Sequence, residues 1–220
     1  MTKSGKSTIL GLTGSLGSGK SFVSSLLSQS GAKVICADKL AREAVSPGSP
    51  ALNDIRNLFG GDVLRPDGAL DREKLAKVVF ADPASRRALE RIIHPRVREK
   101  ELELLGKYEG HPLIVLDVPL LFEAGMDRHC DHTAVVVIDE EERYRRLGSQ
   151  RGLNREQVDE RLGAQMPQKE KAARADSVID NSGTPRETAA QVSALLTRLF
   201  GENLPPPLRF PGPGEHHHPG

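Results

Sequence analysis

Residues 14–21 read Gly-Ser-Leu-Gly-Ser-Gly-Lys-Ser, an order of residue types suited to holding a phosphate chain. Glycine lets successive backbone N–H groups bend toward one anion. Lys20 offers a point charge to terminal phosphates, and the Ser21 hydroxyl is a hard oxygen donor for Mg²⁺. Every fixed position of G-x-x-x-x-G-K-[ST] is met. An aliphatic run at 8–13 precedes the loop and a helical pattern at 21–30 follows it, which is the context this P-loop motif requires. A helix starting there adds unpaired amides and the positive end of its dipole. The loop is therefore read as a nucleoside-triphosphate site. Gly14, Gly17, Ser18, Gly19, Lys20 and Ser21 surround the phosphates, and Phe22 lends its backbone N–H.

A second Gly-Lys-Ser-Thr at 5–8 lacks both the upstream glycine and a preceding strand, and reads as a polar N-terminal arm. A switch GTPase is a poor fit. The only D-x-x-G candidate, Asp180 to Gly183, comes at the fifth strand, and no N-K-x-D run reads guanine. Phosphoryl transfer to a small acceptor needs a carboxylate near the acceptor hydroxyl, a carboxylate beside the metal, and arginines that close over the migrating group. Asp38 follows the second apolar run, where it would stand at the carboxyl edge of a sheet. Asp117 ends the third run, as a metal-side acid would. The arginines at 143, 145, 146, 151, 155 and 161 lie in one charged stretch. Most read as a solvated helix laced with i,i+4 pairs; on a kinase scaffold some become a lid that excludes water.

These groups need a frame. Five short aliphatic or β-branched runs, at 8–13, 33–37, 113–118, 133–138 and 177–180, mostly lack in/out alternation, as strands covered on both faces do. Helical patterns separate them, the last at 184–200. The expected fold class is α/β: a P-loop NTPase-type, five-stranded parallel sheet flanked by helices, with a helical substrate-binding insert and a helical lid. One domain, 1–204, is expected, with a core at about 8–42, 112–140 and 174–200, the insert at about 43–111 and the lid at about 141–173. Asp82 and Pro83 read as a helix start, and Pro95 is expected to break or restart that helix after His94. The stretch 205–220, rich in proline and ending near three histidines, reads as a disordered tail.

The 220-residue chain balances 31 Lys and Arg against 30 Asp and Glu. That balance gives no basic field for nucleic acid. No apolar run is long enough to span a bilayer, and no secretory leader is recognised. Two cysteines, Cys36 and Cys130, make no framework and read as buried free thiols. A soluble, cytoplasmic monomer without membrane or nucleic-acid partners is expected.

Several strings together resemble the dephospho-CoA kinase family: GLTGSLGSGKS at 11–21, ADKLAREAV at 37–45, IIHPRVR at 92–98, LDVPLLFEAG at 116–125, AQMPQKEKAARAD at 164–176 and VIDNSG at 178–183. They are collinear from about 9 to 200. The resemblance implies a P-loop kinase related to nucleoside monophosphate kinases. It would move the γ-phosphate of ATP, with Mg²⁺, to the ribose 3′-hydroxyl of dephospho-CoA. Asp38 becomes the base or orienting group, with Arg42, His94 and Arg98 also on the acceptor side. Asp117 joins Ser21 at the metal, and Asn181 lies near the adenine. His94 also reads as a simple helix-end cap before Pro95. Other small-molecule P-loop kinases, and a nucleotide-binding module that transfers nothing, remain the alternatives.

Three positions depart from the family pattern. Cys36 stands where an acid is usual, Phe22 where threonine is usual, and Gln150-Arg151 where arginine–aspartate is usual. Among the lid arginines, Arg151 and then Arg146 are expected at the phosphates.

Overall fold

The computed structural model describes residues 7–202, 204, 205 and 208. The expected 205–220 tail and the Gly5-Lys6 part of the second glycine–lysine string therefore fall largely outside the described residues. Two compact units make up the chain, one comprising 1–35 and 108–220 and the other Cys36–Lys107.

The first unit carries the sheet. Its strands are β1 (Thr8–Gly14), β2 (Lys33–Cys36, whose last residue falls to the other unit), β3 (Leu113–Asp117), β4 (His132–Val137) and β5 (Ser177–Asp180), in the order β2-β3-β1-β4-β5. β1 runs parallel to both β3 and β4, and β4 parallel to β5. All five expected runs became strands, within a residue or so at each end. Every residue of β3 is buried, as the missing alternation predicts for a strand covered on both faces. Leu10, Leu12, Val115 and Val136 of the sheet pack with Leu26 and Leu27 of α1 (Lys20–Gln29). The same cluster takes in Val192 and Leu196 from the C-terminal helix Pro185–Phe200. Cutting one such leucine to alanine costs about 2–5 kcal/mol.

The second unit is helical: α2 (Ala37–Ala44), α3 (Pro50–Phe59), α4 (Arg72–Ala81) and α5 (Pro83–Lys107). It takes in α2 as well, whereas the sequence reading began the insert at 43. The last three starts are written locally, while α2 has no side-chain cap. Ser49 accepts the Leu52 N–H at 3.2 Å with Pro50 at the first helical position. Asp71 accepts the Lys74 N–H at 3.0 Å, and Asp82 accepts the N–H of Ala84 and Ser85 at 3.0 and 2.9 Å. These side chains satisfy amides that a helix start leaves unpaired. Val45, Leu52, Ile55, Val63 and Leu75 form the core, with Leu89, Ile92 and Ile93 of α5 packed on it.

One expectation fails here. Pro95 does not break α5, which is 25 residues long and runs on past it to Lys107. Proline removes a single backbone donor from the ladder, and the rungs on either side carry the helix past the gap.

After β4 the chain forms α6 (Glu140–Arg151), α7 (Arg155–Gly163) and α8 (Gln168–Arg174), returns through β5, and closes with α9 (Pro185–Phe200). Among the described residues, no helix is long and apolar enough to cross a membrane.

Candidate active site

β1 ends at Gly14 and α1 begins at Lys20, so Ser15 to Gly19 must turn the chain through a narrow loop. The Ser18 N–H bonds back to the Ser15 carbonyl at 3.0 Å. Gly17 and Gly19 take φ of 76° and 82°, the left-handed region that side chains resist. Space forbids a side chain as well. A Cβ on Gly19 would collide with the Asn181 Nδ2, and one on Gly17 would lie 2.9 Å from the Leu147 Cδ1.

The loop leaves donors over. Among the described residues no acceptor bonds the amides of Gly17, Gly19, Lys20 or Ser21. The hydroxyls of Ser15 and Ser18 are buried without a partner. Buried polar groups are nearly always satisfied, so a cluster of orphans around one turn fits an anion with many acceptor oxygens. Phe22 behaves otherwise: its N–H folds back to the Gly19 carbonyl at 2.9 Å, and its ring packs against the sheet core.

Lys20 and Asp117 meet. β1 and β3 are neighbours in register, and the Lys20 ammonium forms an ion pair with the Asp117 carboxylate, whose side chain is only 4% exposed. Ser21, in the first turn of α1, is exposed. A serine hydroxyl and one carboxylate suit Mg²⁺, which keeps waters and draws further oxygens from substrate phosphates.

Asn181 is committed inward. Its Nδ2 donates to the Ser18 carbonyl at 2.9 Å, and its Oδ1 accepts the Thr188 hydroxyl at 2.9 Å. The residue expected beside an adenine here braces the phosphate loop. Asp180, the candidate switch aspartate, accepts the Ser182 N–H at 2.8 Å and shapes that same turn.

The charged stretch divides by burial. The α6 start is capped by Asp139, which accepts the Glu141 N–H at 2.9 Å, and its end by Gly152 at φ 63°. Arg146 reaches the loop: its Nη1 lies 3.8 Å from the point a Gly19 Cβ would occupy, and Glu142 holds its Nε at 2.7 Å. Hydrogen bonds from Arg145, and then from Arg146, draw the Glu142 carboxyl down to about 2. Arg151 is exposed in the last turn, and at 100° per residue it lies roughly 140° around α6 from Arg146. The geometry thus favours Arg146 over Arg151.

Three residues were missed. Arg143 is 6% exposed and lies against Gly17, with an Nη2 bond to Gln168. Gln165 accepts the Leu16 N–H at 3.2 Å. Lys171 is wholly buried. Composition hid them inside a run of surface charge. The 164–176 string holds Gln165 and Lys171, whereas Arg143 lies among the charged residues of α6.

On the helical unit, β2 ends at Cys36, so Asp38 stands in the first turn of α2 rather than at a strand tip. Asp38 and Arg42 are both exposed and one turn apart, as are His94 and Arg98 on α5. His94 is mid-helix and caps nothing. Arg87, Glu90, Arg91, His94, Pro95 and Arg98 line one shallow depression. Cys36 and Cys130 are only partly buried, where enclosed thiols were expected. Desolvation, followed by nearby aspartates, pushes the Cys130 thiol up to about 11.

A parallel sheet with a glycine loop between its central strand and first helix defines a P-loop nucleotide-binding protein of the α/β class. The comparisons narrow this. The dephospho-CoA kinase family model (CoaE) matches residues 8–187. The dephospho-CoA kinase of Symbiobacterium thermophilum is 48% identical over 195 residues, covering 88% of this chain and 82% of that protein. That of Anaeromyxobacter dehalogenans is 46% identical over 209 residues, covering 92% and 99%. Among solved structures, TT1252 from Thermus thermophilus superposes with a TM-score of 0.79 at 39% identity, covering 90% of this chain and all of that one. The Campylobacter jejuni dephospho-CoA kinase gives 0.64 at 26% identity, covering 87% and 96%. The chain belongs to the dephospho-CoA kinase family.

Proposed function

We propose that this chain transfers the γ-phosphate of ATP to the ribose 3′-hydroxyl of dephospho-CoA, giving CoA and ADP. The match across residues 8–187, joined to a loop with four unbonded amides, is the observation that carries the reading. In this mechanism the acceptor oxygen forms a bond to the γ-phosphorus while the bond to the β–γ bridging oxygen breaks, and ADP leaves. Asp38 accepts the hydroxyl proton. Positioning and charge neutralisation supply most of the acceleration, because the transition state is loose.

Gly14, Gly17, Ser18, Gly19 and Ser21 cradle the phosphates, and Lys20 leaves Asp117 to follow the migrating group. Phe22 and Asn181 serve by fixing the loop. Ser21 and Asp117 would hold Mg²⁺, which neutralises the phosphate charge when bound. Arg146 closes on the γ-phosphate, with Arg151 second. Arg42, His94 and Arg98 bind the acceptor. In this role 43–111 is the acceptor insert and 141–173 the lid. The near-neutral charge gives no basic field for nucleic acid and supports a small-molecule enzyme.

An acceptor screen following ADP release tests the reading. Turnover should depend on dephospho-CoA, with the new phosphate located at the 3′ position by phosphorus NMR. Turnover confined to nucleosides or nucleotides would assign another small-molecule kinase. ATP binding without acceptor-dependent turnover would assign a binding module.

A further inference from the structure

Lys171 is the one fully buried lysine among the described residues, and the mechanism above does not use it. An ammonium removed from water costs several kcal/mol unless it is paired and hydrogen-bonded, so its partners matter. Its Nζ donates to the Pro119 carbonyl at 2.7 Å and pairs with Glu123 Oε1 at 2.9 Å. Both partners belong to the turn that follows Asp117.

Each partner reaches further. The Pro119 carbonyl also accepts the Thr13 hydroxyl at 2.9 Å, and Thr13 is the residue before the phosphate loop. Glu123 also accepts the Met166 N–H at 2.9 Å. The neighbouring Gln165 accepts the Leu16 N–H inside the loop. Burial alone would raise the Glu123 carboxyl, but the bonds from Lys171 and Met166 outweigh it and hold the group below its ordinary value. One ammonium therefore joins three segments: the root of the phosphate loop, the turn that follows Asp117, and the connection from α7 to α8.

We propose that Lys171 is a positioning residue for phosphoryl transfer: by fixing the Pro119 carbonyl and Glu123, it sets where Asp117 stands relative to Lys20. It touches no reacting atom. Its effect runs through placement, where an error of about 1 Å can cost about 100-fold in rate. Residues that orient metal-binding side chains typically cost 10–100-fold when removed. The inference rests on the proposed kinase reading and deepens it.

The test separates placement from folding. Lys171→Met alone leaves the partly shielded Glu123 carboxylate without its cation, so the main variant is Lys171→Met/Glu123→Gln, which removes both charges and keeps an acceptor for Met166. Replacing a buried ion pair with uncharged groups is often neutral for stability. The double variant should melt within a few degrees of the wild type, yet lose about 10–100-fold in kcat. Calorimetry should show metal-free ATP binding nearly unchanged, with the extra affinity that Mg²⁺ confers reduced about tenfold.

A folded double variant with wild-type kcat and wild-type Mg²⁺ dependence overturns the proposal. If the double variant does not fold, Glu123→Gln alone decides by the same two readouts: a smaller loss of the same pattern supports the role, and no change rejects it. Failure of the wild type to phosphorylate dephospho-CoA would count against the kinase reading instead. The Mg²⁺ linkage in ATP binding is measured without acceptor and so stands apart from that result.

Discussion

Around residues 14–21, partners brought from distant elements fix part of the loop, Asn181 on Ser18, Gln165 on Leu16 and Asp117 on Lys20, and leave its remaining donors to a ligand. In the helical unit Cys36–Lys107 the candidate residues are different. Asp38, Arg42, His94 and Arg98 all stand exposed on helix surfaces, and the unit's core of Val45, Leu52 and Ile55 lies beneath other side chains. The nucleotide side is thus over-determined, with chemistry and packing sharing the same atoms. On the helical side the two are separable. Substitutions in the loop should therefore move stability and rate together, while those on the helix faces should move rate or affinity alone.

The largest break is expected at Lys20. Lys20→Met should lower kcat by roughly 10³-fold or more, since removing one charge-stabilising donor alone costs about 10²–10³. It should also lower the melting temperature, because Asp117 is left buried without its partner. Single-turnover kinetics and thermal melts on one preparation test both, and a near-normal kcat rejects the loop assignment.

Asp38→Asn comes next. The loss of a positioned base predicts about 10²–10⁴-fold in kcat. The melting temperature should not change, and neither should ATP affinity. A lower melting temperature would show that the helical unit is less separable than its surface indicates.

Within the lid, Arg146→Ala should reduce kcat by about 10–100-fold and Arg151→Ala by less than about threefold, given that an arginine over a transferring phosphate is worth far more than a solvated one. The reverse order would restore the expectation drawn from sequence.

The smallest effect is in acid. Several carboxyls lie below their ordinary values: Asp82 through Ser85, Asp176 through Thr133, and Glu142 at about 2. A depressed folded-state value contributes stability above the unfolded value and loses it as pH falls toward the folded one. The melting temperature should therefore decline gradually from about pH 4 toward pH 2. Constant stability over that window would mean these bonds are not kept in solution.

The same contrast governs what the sequence disclosed. The loop was legible because its chemistry requires particular residues at fixed spacing, and the strands because a doubly covered strand is apolar throughout. The helix start at Pro83 was legible from local capping alone. Arg143 and Lys171 were not, since burial of a charged side chain depends on partners more than 20 residues away, such as Gln168 for Arg143 and Pro119 for Lys171. Arg146 and Arg151 look alike as letters, and only the pitch of α6 separates them. Pro95 misled because it removes one backbone donor, a loss that the other rungs of a 25-residue helix outlast.

That proline has one more effect. With no amide on Pro95, the Arg91 carbonyl loses its usual donor, so a rod about 37 Å long has a weak joint partway along. The apolar anchors that α5 supplies to the core of its unit, Leu89, Ile92 and Ile93, all precede the joint. His94 rides on the moored segment and Arg98 on the segment beyond it. Their separation can adjust by bending at one rung, with no other backbone bond broken.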